Sequence, residues 1–176
     1  MPESQSDRPL ILDRRIATDA WTLCESLADR PAGRPAIVPL EEWLAADERA
    51  ELAPWLPSDT EVTPALAESL RAAPLVAIDF PKFTDGRGYS IARLLRERFG
   101  YLGEIRAVGD VLIDQLFYMS RCGFNAFSLR PDQIVEDALA ALNTFSLSYQ
   151  PGTDTSEPLF RRRLRDRTRH AEAALA

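Results

Sequence analysis

The clearest pattern of apolar and polar positions lies between Pro74 and Leu142. Leu75-Val76-Ala77-Ile78 is an unbroken apolar run, as expected for a strand buried on both faces. Ile91, Leu94, Leu95 and Phe99 then recur at helical spacing, and Gly100 suits a helix terminus. The cycle repeats twice. A strand over Ile105 to Val108 precedes a helical face of Val111, Leu112, Leu116, Met119 and Cys122, opened by Asp110 as N-cap and closed by Gly123. A strand over Ala126 to Leu129 precedes Pro131, at the first position of a third helix, and Ile134, Val135, Ala138, Leu139 and Leu142 form its apolar side. Alternating strands and helices imply right-handed crossovers and a parallel sheet.

The first half is less regular. Leu10-Ile11-Leu12, the charged turn Asp13-Arg14-Arg15, then Ile16 and Trp21 predict a small hairpin. A loop is expected at Arg30 to Arg34 and a strand at Ala36 to Leu40. Glu41 to Leu52 predicts a helix with acids in its first turn, stopped by Pro54 and Pro57. Thr60 to Arg71 fits a short strand at Glu61-Val62 followed by a helix through Leu66 and Leu70. Thr144 to Tyr149 fits either one more strand or an extended arm. The predicted fold is therefore α/β: a mostly parallel sheet with βα repeats in the C-terminal half and a small N-terminal hairpin. One domain is expected over 11–150, followed by an arginine-rich tail over 151–176, partly helical or disordered.

Composition narrows the class. The 176 residues are 45% apolar and 27% charged, ordinary values for a globular chain. No apolar run approaches the roughly 20 residues a membrane helix needs. The segment from Met1 to Arg8 is polar, unlike a secretion signal, and Cys24 and Cys122 stand far apart without a CxxC. A reduced, cytoplasmic protein is expected. The net charge is −6, with six arginines against four acids in 151–176 and 15 bases against 23 acids before it. A body this acidic repels nucleic acid. The run Arg161-Arg162-Arg163-Leu164-Arg165 suits a solvated helix or an acidic protein partner.

Candidate chemistry concentrates after the first clear strand. The segment Asp79-Phe80-Pro81-Lys82-Phe83-Thr84-Asp85-Gly86-Arg87-Gly88-Tyr89-Ser90 is long for a βα loop, where about two to six residues is usual. Parallel α/β proteins bind ligands beyond the strand carboxyl ends. Thr84, Asp85, Gly86, Arg87 and Gly88, with the N–H groups of the next helix, suit a small anion. Lys82 is the chain's only lysine against 20 arginines. It could serve as a charge or as an amine acting in acid–base or Schiff-base chemistry, with Asp79 or Asp110 as carboxylate partner. Arg106 falls inside a strand and needs a carboxylate, Asp79 or Asp110, or a ligand to meet. Asp79, Lys82, Arg87, Arg106 and Asp110 are all expected on one rim of the sheet.

Other chemistry is not signalled. Gly86-Arg87-Gly88 lacks the third glycine of a dinucleotide fingerprint. His170 is the sole histidine and lies in the tail, which argues against a histidine metal site or a serine triad. No cofactor is evident and no metal is expected. Trp21, Trp43 and Trp55 read as core or interface residues, and Cys122 as a small buried hydrophobe.

One resemblance goes further. Phe80-Pro81-Lys82-Phe83-Thr84-Asp85-Gly86-Arg87-Gly88-Tyr89-Ser90, Ala92-Arg93-Leu94-Leu95-Arg96, Glu104 to Val111, Asp114-Gln115 and Arg121-Cys122-Gly123-Phe124 resemble the bacterial family called domain of unknown function 934. The resemblance spans about Ile11 to Gln150. It implies an oxidoreductase role in assimilatory sulfite reduction, and so in cysteine biosynthesis, because the family's genes sit beside those of sulfite reductase. It implies no mechanism; any redox cofactor would come from a partner. The leading expectation is an accessory protein of sulfite reduction that binds an anionic ligand. The alternatives are an enzyme using Lys82, and a non-catalytic partner of sulfite reductase or another sulfur-assimilation enzyme.

Overall fold

The computed structural model describes residues 8–145, 147–155 and 157–165. Its centre is one eight-stranded sheet in the order β2-β1-β8-β7-β6-β5-β4-β3. The strands are β1 (Leu10–Leu12), β2 (Arg15–Ala17), β3 (Thr22–Leu23), β4 (Ala36–Pro39), β5 (Leu52–Leu56), β6 (Leu75–Phe80), β7 (Glu104–Gly109) and β8 (Ala126–Ser128). β3 to β8 form a parallel block, each hydrogen-bonded to the next. The hairpin β1–β2 joins this block through an antiparallel β1–β8 ladder, with Leu12 opposite Ala126. The fold is α/β as expected, but the sheet is mixed rather than mostly parallel. The hairpin is part of the sheet, because β8 would otherwise leave an unpaired edge.

The sheet is curled. β2 and β3 lie at opposite ends of the strand order, yet only residues 18–21 separate them in sequence. Five Cα steps of 3.8 Å span at most ~19 Å, whereas a flat eight-stranded sheet would be about 34 Å wide at 4.8 Å per strand. The two edges must therefore approach each other, and the strands enclose an inner face.

Alternation sorts the side chains accordingly. Val76, Ile78 and Phe80 of β6, with Ile105 and Ala107 of β7, join the main core against the helices. Those helices are α1 (Leu40–Ala45), α2 (Pro64–Leu70), α3 (Arg87–Arg93), α4 (Leu116–Cys122) and α5 (Val135–Leu142). A π-turn over Leu94–Arg98 extends α3, and a 3-10 turn over Ile113–Gln115 precedes α4. Leu75 and Ala77 of β6, Val108 of β7, Ile37 and Ala53 face inward, covered by Trp21, Leu23 and Trp55. Each large apolar side chain fully buried here contributes roughly 1.5–3 kcal/mol.

Several local expectations need correction. The helix read over Glu41 to Leu52 ends at Ala45, and Leu52 opens β5, with Pro54 inside that strand. Pro54 is tolerated because the β5–β6 ladder begins only at Trp55, so its missing N–H costs no rung on that side. Glu61-Val62 is not a strand; Thr63 caps α2 there, its hydroxyl accepting from the Leu66 N–H. Asp110 caps no helix, since the 3-10 turn begins at Ile113, and Pro131 lies in a turn ahead of α5. The described part of 144–149 contains no strand. The tail is helical over 159–165, and its residues from 166 on, including His170, lie outside the described residues. No helix among the described residues is long and apolar enough to cross a membrane.

Candidate functional site

The carboxyl ends of β3, β5, β6 and β7 frame a cavity of about 190 Å³ on the inner face of the curl. Its wall is made by Leu23, Cys24, Glu25, Trp55, Asp79 and Val108. Asp79 and Val108 sit there because they are register partners that alternate inward with Ala77 and Arg106. Trp55 is anchored by its indole N–H, which donates to the Cys24 carbonyl at 3.3 Å.

Asp79 carries the electrostatics of this cavity. Burial pushes its carboxyl above the ordinary value, helped by the negative charge of Asp85; the Arg8 guanidinium and the Phe80 N–H offset part of that rise. Arg8 is held nearby by donating to the Gly109 carbonyl at 2.8 Å. Gly109 itself has φ +92°, and a Cβ there would lie 2.4 Å from the Phe80 carbonyl oxygen and 2.6 Å from Asp79 Oδ1. Only glycine lets β7 turn away so close to that carboxyl. Cys24 is buried, and burial, with Asp29 next, pushes its thiol up, so its sulfur is a protonated wall atom rather than a thiolate.

The long loop follows directly. Lys82 and Thr84 are exposed, and the Lys82 ammonium has no ion-pair partner among the described residues. Arg87 is already engaged: Nη2 meets Asp85 Oδ2 at 2.7 Å, Nε meets Asp85 Oδ1 at 3.0 Å, and Nη2 also donates to Ser58 Oγ. The Arg87 N–H, in the first turn of α3, donates to Asp85 Oδ1 at 3.1 Å. A carboxylate of the chain itself thus occupies the position read as an anion seat. These bonds hold the Asp85 carboxyl well below the usual range. Gly86 precedes the helix and Gly88 packs inside it, where a Cβ would meet the Phe80 ring at 2.8 Å. Gly88 therefore serves close helix–sheet contact.

Asp110 lies on the same rim as this loop. Its Oδ2 accepts from the Phe83 N–H at 2.9 Å, and its Oδ1 from Arg130 at 2.9 Å. The Arg130 and Phe83 bonds hold its pKa low. Gln115 donates to the Phe83 carbonyl at 2.6 Å and closes the loop onto the 3-10 turn. Arg106 departs from expectation. It is buried, but its guanidinium turns toward the amino end of β7, where Nε meets Glu104 at 2.6 Å and Nη1 meets Asp19 at 2.8 Å. It reaches neither Asp79 nor Asp110. The reason is the linker 18–21, which carries Asp19 across the inner face.

The structure thus brings Asp79, Lys82, Asp85, Arg87 and Asp110 to the carboxyl-end rim and separates Arg106 from them. Sequence reasoning missed Cys24, Glu25 and Trp55. Cys24 and Glu25 directly follow the two-residue β3 and Trp55 lies in the five-residue β5, and only the register β3–β4–β5–β6 places them beside Asp79. Among the described residues no group of His, Cys, Asp and Glu side chains could hold a metal ion.

No curated protein and no solved structure matches the chain. A family profile does match, over residues 53–160, from β5 through β6, β7 and β8 to the helical tail. By that match the chain belongs to the bacterial proteins of unknown function designated DUF934.

Proposed function

We propose that this protein serves assimilatory sulfite reduction as an accessory protein that binds a small oxyanion at the carboxyl-end rim of its sheet. The supporting observation is the cavity beside Asp79. Burial makes the Asp79 carboxyl take up a proton more readily than an exposed one, and in that protonated form it donates a hydrogen bond to an oxyanion. Arg8 and the unpaired Lys82 supply positive charge on the same rim, while Arg87 and Arg130 fix the loop rather than the ligand. The link to sulfite reduction rests on the family resemblance and the ligand class on the site.

Calorimetric titration with sulfite, sulfate, phosphate and adenylylated sulfate tests this reading. Sulfate keeps its charge across the useful pH range, so its affinity should fall as pH rises and Asp79 ionises. Absence of heat from all four at millimolar concentration sinks the proposal.

A second reading, acid–base or Schiff-base catalysis by Lys82 with Asp79, is favoured by the same biased carboxyl. Asp110 is the weaker partner, since Arg130 and the Phe83 N–H already engage it. A Lys82→Arg variant keeps the charge and removes the amine chemistry. Full growth of a deletion strain on sulfate with that variant rules the second reading out and leaves the first standing.

A further inference from the structure

A second cavity lies at the opposite, amino-end rim of the parallel block. Its volume is about 400 Å³, within the usual range for small-molecule sites, and Arg14, Arg121 and Arg162 line it with Phe117, Phe145 and Asp154. The chain folds to build it from three directions. Arg14 comes from the β1–β2 turn, Phe117 and Arg121 from α4, and Phe145, Asp154 and Arg162 from the segments that follow α5.

Three guanidinium groups face one carboxylate here, in a chain whose net charge is −6. Arg14 donates to the Leu142 carbonyl and to Asn143 Oδ1, both at 2.9 Å, so neutral acceptors position it without cancelling its charge. Its turn is held in the left-handed region, with Asp13 at φ 48° and Arg14 at φ 61°. Non-glycine residues in that conformation cost energy and persist where surroundings fix them, as the Asn125–Asp13 and Arg14–Asn143 bonds do here. Arg121 is buried, donates to the Gln150 carbonyl and meets Asp154 only at 3.5 Å. Arg162 has no ion-pair partner among the described residues. The carboxyl ends of α4 and α5 offset part of this charge, but helices this short add only fractional charges.

The remaining wall is aromatic. Phe117 and Phe145 meet at 5.0 Å between ring centroids with a 58° tilt, and Phe145 is 60% exposed. An inorganic anion would satisfy the arginines and leave most of this volume and the ring face unused. We propose that the cavity binds a nucleoside phosphate, with its phosphate on Arg14, Arg121 and Arg162 and its base against Phe145. Guanidinium groups are suited to bidentate phosphate contacts, and stacking on an exposed ring accepts any base.

The test is calorimetry on the full chain with adenosine monophosphate and, separately, inorganic phosphate, at low salt. Adenosine monophosphate should bind, more tightly than phosphate. Arg162→Glu should weaken both ligands by about tenfold or more, as loss of a charge-assisted contact plus repulsion predicts. Phe145→Ala should weaken the nucleotide by about tenfold, the scale of one stacking contact, and leave phosphate unchanged. Asp79→Asn, on the other rim, should leave nucleotide binding unchanged, which keeps this site distinct from the one proposed above. Thermal unfolding of the Arg162 and Phe145 variants checks that each remains folded. Three results overturn the proposal: no nucleotide binding at millimolar concentration, phosphate binding equal to nucleotide binding, or wild-type affinity in both cavity variants.

Discussion

The two rims of the sheet are built from opposite materials. At the carboxyl-end rim, the arginines of the loops are matched by carboxylates: Arg87 by Asp85 two residues before it, and Arg130 by Asp132 two residues on and by Asp110 across the rim. Two ionisable groups are left without an ion-pair partner there among the described residues: the exposed Lys82 and Asp79, which is desolvated beside a cavity. At the amino-end rim, Arg14 and Arg121 bond chiefly to backbone carbonyls, and positive charge is left over. Local pairing makes the first rim rigid and nearly neutral, whereas capping by arginine makes the second rigid and cationic. A ligand that brings a negative charge meets a desolvated carboxyl on one side and guanidinium groups on the other.

The largest expected effect breaks the carboxyl-end rim outright. Gly109→Ala places a Cβ at 2.4 Å from the Phe80 carbonyl oxygen in a backbone that side chains rarely adopt. It should lower stability by about 3 kcal/mol or prevent folding. Gly33→Ala is the control, since its φ is also positive at +72° but nothing lies within 4 Å; it should cost about 1 kcal/mol. Urea denaturation of the two variants measures the difference.

Arg106→Met comes next, because Arg106 lies between the rims. Its side chain is 3% exposed, and the guanidinium compensates both Asp19 and Glu104. Removing it leaves two partly buried carboxylates unpaired and should cost about 3 kcal/mol. Adding Asp19→Asn and Glu104→Gln to the same chain should recover much of that loss. If the triple variant is no more stable than the single one, the cost is packing rather than charge.

The smallest effect sharpens the comparison. Asp79 has a folded pKa raised above its ordinary 3.8. Between those two values the folded chain holds more protons than the unfolded one. Stability therefore falls as pH rises through that window, then levels off above it. Asp79→Asn should remove this slope and raise the melting temperature at pH 7 by a few degrees at most. An unchanged pH profile in the variant would mean that Asp79 is not the desolvated group at the mouth.

The parts of this design legible in the sequence are those encoded locally. β6, β7 and β8 announce themselves because strands buried on both faces are mostly apolar, with Arg106 the charged exception inside β7, and Gly100 and Gly123 end their helices as their positive φ values require. The rim shared by Lys82 and Asp110 follows from the direction of parallel strands alone. β5 was hidden because Pro54 reads as a helix breaker, and it works in a strand only through the late start of one ladder. The cavity could not be read either. Cys24, Trp55 and Asp79 are 31 and 24 residues apart in sequence and meet through register rather than through any motif. Arg106 was assigned the wrong partner because nothing local reveals that residues 18–21 cross the inner face.

The pairing of β1 with β8 has a further consequence for how the chain comes to be folded. Leu12 finds its neighbour at Ala126, so the first strand of this sheet in chain order docks against its last. Until β8 emerges, Leu10 and Ile11, both fully enclosed in the finished protein, have no surface to cover them. Contacts this distant in sequence slow folding, toward the milliseconds-to-seconds range of non-local topologies. Removing β1 and β2 should leave the parallel block formed but with β8 exposed as an edge open to a neighbouring chain.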